Sequence, residues 1–116
     1  MLRSFAACAG SVRENCVVDG DTFWIDGIKV RIADIDTPEI SAPKCPSERA
    51  LGERAIRRLI QLLNSGRFEL GGWDGTDVDQ YGRKLRIVLR NGRSIGDQLV
   101  SEGLARTWSG RREPWC

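Results

Sequence analysis

The chain contains no histidine. That removes the Ser-His-Asp triad and every histidine general base. It also removes the two-histidine zinc helix and the histidine-containing deaminase site. Any catalysis must therefore draw on carboxylates, arginines, thiols or a metal held by oxygens. Long apolar runs are missing too: no stretch of about 18 apolar residues exists, so no segment reads as a membrane-spanning helix. Net charge is small, since 18 basic against 16 acidic residues leaves +2. That bias permits a nucleic-acid partner without demanding one. Repeats, low-complexity segments, linkers and Cys-x-x-Cys pairs are all absent. The last absence argues against a zinc ribbon or a thioredoxin-like centre.

What is present suits one globular domain over 1–116. The length allows a single core, and 41% of the residues are hydrophobic. Four cysteines stand at Cys8, Cys16, Cys45 and Cys116. An even count in a small chain points to two disulfides and an oxidising compartment, with four reduced structural thiols as the other reading. Three pairings are open. Cys8–Cys16 with Cys45–Cys116 is preferred, because Cys116 would then pin the C-terminal tail. Met1 to Gly10 lacks the apolar run of a signal peptide. A secreted or periplasmic location is still the expectation, which leaves two readings open: an export signal lying outside this chain, or a protein that is not exported.

Asn15 to Val18 and Thr22 to Ile25 read as strands around the turn Asp19-Gly20-Asp21. Asp26-Gly27 is a two-residue hairpin signal. Ile28, Val30 and Ile32 fall on one face of the next strand, and Lys29, Arg31, Ala33 and Ile35 on the other. Pro38 ends that run. Ser47 reads as the N-cap of a helix over 48–64 that ends at Gly66, with Leu51, Ala55, Leu59 and Leu62 facing a core. Arg49, Arg54, Arg57 and Arg58 read as a solvated face. Arg67 to Leu70 and Leu85 to Arg90 are further strands, and Asn91-Gly92 is a second turn signal. Ser94 to Glu102 reads as a second helix, and 109–116 as a tail. The sum is a mainly β chain: a five-stranded OB-fold barrel with two or three packed helices.

Three clusters can carry chemistry. Asp21 and Asp36 are short carboxylates at strand ends, and hard cations prefer such oxygens. Taken singly, each is also the kind of residue that caps its own turn. Arg31, on a strand among apolar residues, needs a carboxylate partner or an anion. Arg83 follows a Tyr-Gly turn that can project it into a cleft, and two arginines can clamp one phosphate. With histidine absent, Glu39 is the group suited to orient or deprotonate a water.

Read together, Asp19-Gly20-Asp21-Thr22, Val30-Arg31-Ile32, Asp36-Thr37-Pro38-Glu39 and Asp79-Gln80-Tyr81-Gly82-Arg83 resemble the staphylococcal nuclease family, in order and at compatible spacing. Leu99 to Ala105 is similar to that family's second half, so the likeness runs from about residue 17 to 108. The resemblance implies an OB-fold and calcium-dependent hydrolysis of DNA and RNA that leaves 3′-phosphate ends. It implies Asp21, Asp36 and the Thr37 carbonyl as Ca2+ ligands, Arg31 and Arg83 as phosphate clamps, and Glu39 as the group that handles the water. Tyr81 and Trp108 are expected to touch substrate. Trp108 stands near the place of the prototype's nucleotide-binding tyrosines and could stack on a base. Gln80 departs from a lysine of the prototype. The expected partner is DNA or RNA, single strands favoured, bound by a monomer without membrane or obligate protein partner. The alternative is an OB module that binds nucleic acid without cleaving it.

Overall fold

The computed structural model describes residues 3–73 and 75–116. Asp74, which the sequence places in a polar loop, lies outside the described residues. Among the described residues, nine short strands and two helices follow in the order β1 (Ala6–Ala7), β2 (Cys16–Asp19), β3 (Thr22–Ile25), β4 (Ile28–Ile32), β5 (Ile35–Asp36), α1 (Pro46–Asn64), β6 (Glu69–Gly72), β7 (Lys84–Arg90), β8 (Arg93–Ser94), α2 (Ile95–Ser101) and β9 (Arg106–Thr107). Seven strands form one mixed sheet in the order β1-β2-β3-β4-β7-β6, with β8 paired to β7, while β5 and β9 form a separate ribbon. This is the mainly β, OB-fold-like arrangement with two packed helices that the strand pattern predicts. Strands β1, β5, β8 and β9 go beyond the five expected.

Both hairpin signals act as read. Asp26 and Gly27 take φ of 50° and 79°, and Asn91 and Gly92 take 53° and 77°. Two consecutive left-handed residues give the tight turn whose twist matches its strands. The β3–β4 hairpin sets Thr22 opposite Arg31, and β4 runs parallel to β7 with Arg31 opposite Leu85. One end of these three neighbouring strands therefore gathers residues near 21, 31 and 83.

Helix α1 begins earlier than its sequence suggests. Cys45 precedes it with no side-chain cap, and Pro46 takes the first turn. Proline is at home there because its missing N–H would have no helical partner. Ser47 therefore lies inside the helix and is not its cap. The reaching-back is done by Glu48, a buried carboxylate that accepts the Lys44 N–H at 2.8 Å and the Glu39 N–H at 3.1 Å. Those two bonds hold the Glu48 carboxyl below its usual range. They also tie the 39–44 loop, with Glu39 on it, to the helix start.

Ala55, Ile56, Leu59 and Leu63 bury one stripe of α1 against Val17, Phe23, Val30, Ile32 and Val88, while Leu51 and Leu62 pack only partly. Phe5, Phe23 and Phe68 meet with centroids 6.0–6.4 Å apart. Arg58 leaves the solvated face and reaches Glu102 at 2.7 and 2.9 Å, joining α1 to the end of α2. Two glycines let the helix approach the chemistry. A Cβ on Gly20 would come within 2.8 Å of Ala55 Cβ, and one on Gly52 within 2.9 Å of the Pro38 carbonyl. Contacts that close exclude any side chain. α1 thus serves as the platform for both the Asp19–Asp21 turn and the 36–40 segment.

The disulfides are Cys8–Cys16 and Cys45–Cys116, the preferred pairing. Among the described residues, no helix is long and apolar enough to cross a membrane.

Candidate active site

Five polar residues are buried where β3, β4 and β5 converge: Asp21, Thr22, Arg31, Asp36 and Thr37. Asp21 accepts the Thr22 hydroxyl on one oxygen and the Thr37 N–H on the other, both at 3.1 Å. Arg31 Nη2 stands 3.6 Å from that second oxygen. Arg31 also donates to its neighbour's carbonyl at Ile32 and lies 5.5 Å from the Trp108 ring centroid. Asp21 thus partly acts as a turn carboxylate capping its own strand pair, yet its burial is deeper than a turn needs.

Asp36 differs. It is 3% exposed, and neither of its carboxylate oxygens has a hydrogen-bond partner among the described residues. The hydroxyl of adjoining Thr37 is equally unpartnered. Arg112 Nη2 forms an ion pair with Asp36 Oδ1 at 3.1 Å without hydrogen-bond alignment. Burial pushes the Asp36 carboxyl up, and Arg112 pulls against that shift. Buried carboxylate oxygens are normally hydrogen-bonded, and one that is not marks a place suited to a bound cation. Two carboxylates and a backbone carbonyl form an all-oxygen donor set that suits a hard cation. They fit calcium in chemistry, although no group of three or more His, Cys, Asp or Glu side chains comes together among the described residues.

Arg83 is set by an Asx turn. Asp79 Oδ1 accepts the N–H groups of Tyr81 and Arg83 at 2.9 and 3.0 Å, and Asp79 Oδ2 takes Arg83 Nε at 2.6 Å. Gly82, at φ 81°, supplies the left-handed step. The Arg83 guanidinium lies 5.4 Å from the Tyr81 ring centroid and 3.5 Å from the Thr22 hydroxyl. Asp77 in the same loop pairs with Lys84 and Arg86. Neither loop aspartate faces Asp36 as an added ligand.

A cleft of about 630 Å³ joins these parts, walled by Lys29, Arg31, Glu39, Tyr81, Arg83 and Trp108 among others. Arg112 and Asp79 also line it, so four cations face two carboxylates. All eight site residues singled out from the sequence thus meet in or directly behind one cleft. Lys29, Trp73 and Arg112 line it as well and were not singled out. Lys29 was findable, because it lies two residues from Arg31 on the same face of β4. Arg112 carried no local signal.

Asp19 sits beside this group. Burial pushes its carboxyl up to about 6; Asp21 and Glu39 add to the rise, while Arg112 and Arg83 oppose it. A raised carboxyl means the folded chain holds a proton that the unfolded chain has already lost. Its contribution is full below about pH 4 and is lost as pH rises through about 6. In chelator, Asp19→Asn is therefore expected to stabilise the protein at pH 7.5 by on the order of 1 kcal/mol, after allowing for screening at a partly exposed site. Melting curves should show little change at pH 4. An equal gain at both values would contradict the shift.

The sequence matches the family described as "Staphylococcal nuclease homologue" over residues 29–114. The chain belongs to the staphylococcal nuclease family. Endonuclease YncB of Bacillus subtilis (strain 168) is 40% identical over 93 residues, covering 77% of this chain and 44% of that protein. The thermonuclease of Staphylococcus intermedius is 35% identical over 94 residues, covering 78% and 55%. The micrococcal nuclease of Shigella flexneri is 33% identical over 102 residues, covering 77% and 53%. The chain spans about half the length of these curated relatives. The family match takes in Arg31, Asp36, Thr37, Glu39, Arg83, Trp108 and Arg112, but begins after Asp21.

Proposed function

We propose that this domain is a calcium-dependent nuclease acting on DNA and RNA, single strands favoured. The observation that carries the reading is the buried Asp36 carboxylate, ion-paired with Arg112 but without a hydrogen bond, beside Asp21 and Thr37 and behind a cleft lined by Arg31 and Arg83. Asp21, Asp36 and the Thr37 carbonyl would hold the ion. An ion held there would supply charge that offsets the phosphate and makes its phosphorus more open to attack. Arg31 and Arg83 bind the non-bridging phosphate oxygens and stabilise the charge that grows on them during attack. Glu39 orients a water and takes its proton. The water oxygen bonds to phosphorus, the bond to the 5′ oxygen breaks, and a proton returns to that oxygen. The products are a 3′-phosphate and a 5′-hydroxyl. Tyr81 and Trp108 offer ring faces to bases. The names of the similar proteins support nuclease chemistry, and the two disulfides support an oxidising location, secreted or periplasmic. A monomer suffices, since one chain supplies every group named.

A site with two carboxylates binds calcium weakly. Titration calorimetry of the purified chain is expected to give an affinity between about micromolar and millimolar. A nucleotide phosphate should tighten it, because the anion adds a ligand and charge. Absence of calcium binding, or tight binding that nucleotide leaves unchanged, would count against this ligand set.

A further inference from the structure

The C-terminal tail carries a cation into the proposed metal position. We propose that Arg112 is an internal stand-in for the metal, held by the Cys45–Cys116 disulfide, and that it must swing out before a divalent cation can bind. The inference rests on the metal reading of Asp36 and Thr37 given above.

Three contacts define the stand-in. Arg112 Nη2 donates to the Thr37 carbonyl at 3.1 Å and lies 3.1 Å from Asp36 Oδ1. Its Nη1 lies 2.8 Å from Glu39 Oε1. These are the carbonyl and the carboxylate assigned to the ion, together with the carboxylate assigned to the water. A calcium ion needs its oxygens at roughly 2.3–2.6 Å. A guanidinium hydrogen-bonded to the Thr37 carbonyl and ion-paired with Asp36 and Glu39 fills that space, so the two cannot coexist. Without either cation, only Arg31 and Trp115 would offset the buried Asp36 charge, and an undercompensated buried charge is costly. Arg112 therefore neutralises the metal-free state.

The tail is built to keep Arg112 close and to let it go. Cys116, four residues on, is bonded to Cys45, at the end of the loop that carries Glu39 and Lys44. Arg106 stacks on Trp115 at 3.7 Å and donates to the Pro114 carbonyl at 2.7 Å, fastening the tail to β9. Tethering of this kind raises the local concentration of the tethered group. The Arg112 side chain is 47% exposed, so its departure opens no core. A ligand that binds only the latch-open state has its affinity reduced by the open fraction. A latch closed about nine-tenths of the time thus weakens calcium binding about tenfold.

The test is calcium titration by calorimetry, without nucleotide, on the full chain and on variants shown by circular dichroism to be folded. Arg112→Gln should bind calcium about tenfold more tightly than the parent, with Arg112→Lys in between, since lysine keeps the charge and loses the fork. Cys45→Ser/Cys116→Ser should also tighten binding, and should add little once Arg112→Gln is present. Unchanged or weaker binding by Arg112→Gln, with the parent still binding, overturns the latch and leaves the metal site standing. That is the result expected if Arg112 were instead a third phosphate clamp. No binding by either folded protein overturns the metal reading and the latch with it. If the cystine-free variant does not fold, the glutamine and lysine variants decide alone; if it folds and binds as the parent does, the tether is wrong.

Discussion

Replacing Arg83 and Glu39 together with alanine should reduce cleavage of single-stranded DNA by several orders of magnitude and leave the fold in place. A preorganised cation aimed at growing phosphate charge contributes about 10²–10³-fold. A positioned general base contributes about 10²–10⁴-fold. Groups that act on one transition state do not combine additively, so the double variant should fall little further than the worse single one. Neither side chain is core: they are 23% and 31% exposed. Loss of Arg83 does leave Asp79 without its ion pair, but that carboxylate keeps the N–H groups of Tyr81 and the residue at 83. The melting temperature should accordingly drop by only a few degrees. Global unfolding of either single variant, or undiminished turnover, would reject these role assignments.

Asp36→Asn should separate function from stability in the opposite sense. Calcium affinity and cleavage should both be lost, by about 10³-fold or more in rate, because the ion loses its least satisfied protein ligand. The metal-free protein, by contrast, should become more stable at neutral pH. Burial pushes the Asp36 carboxyl up, so its ionised form opposes folding above the usual carboxylate range. A neutral isostere removes that opposition, while Arg112 keeps the Thr37 carbonyl and Glu39 as partners. Thermal melts in chelator check the sign. A loss of stability would mean that the Asp36–Arg112 attraction outweighs the desolvation of the carboxylate.

Much of this geometry was legible in the sequence, for identifiable reasons. The two hairpins announce themselves through Asp-Gly and Asn-Gly, residues that tolerate the left-handed backbone such turns require. The buried stripe of α1 shows in the spacing of Ala55 and Leu59. Its start does not, because Pro46 competes with Ser47 as a signal and wins by filling a position where no N–H is needed. Two-residue strands such as β1, β5 and β9 are too short to carry a period, so the pairing of Asp36 with Arg106 could not be foreseen. The association of Asp21 with Asp36 depends on two intervening turns and became visible only through the order of the four motifs. Arg112 was invisible for a further reason. Its position follows from a disulfide between residues 71 apart in sequence, and nothing in its own neighbourhood marks it.

The most direct test of the central claim is incubation of the purified chain with single-stranded DNA, first with calcium and then with excess EGTA, followed by analysis of the product ends. Calcium-dependent cleavage that leaves 3′-phosphates, and stops in EGTA, is the predicted result. Binding that weakens with salt, with no cleavage by a demonstrably folded protein in calcium, would contradict it and make this domain a module that holds nucleic acid without cutting it.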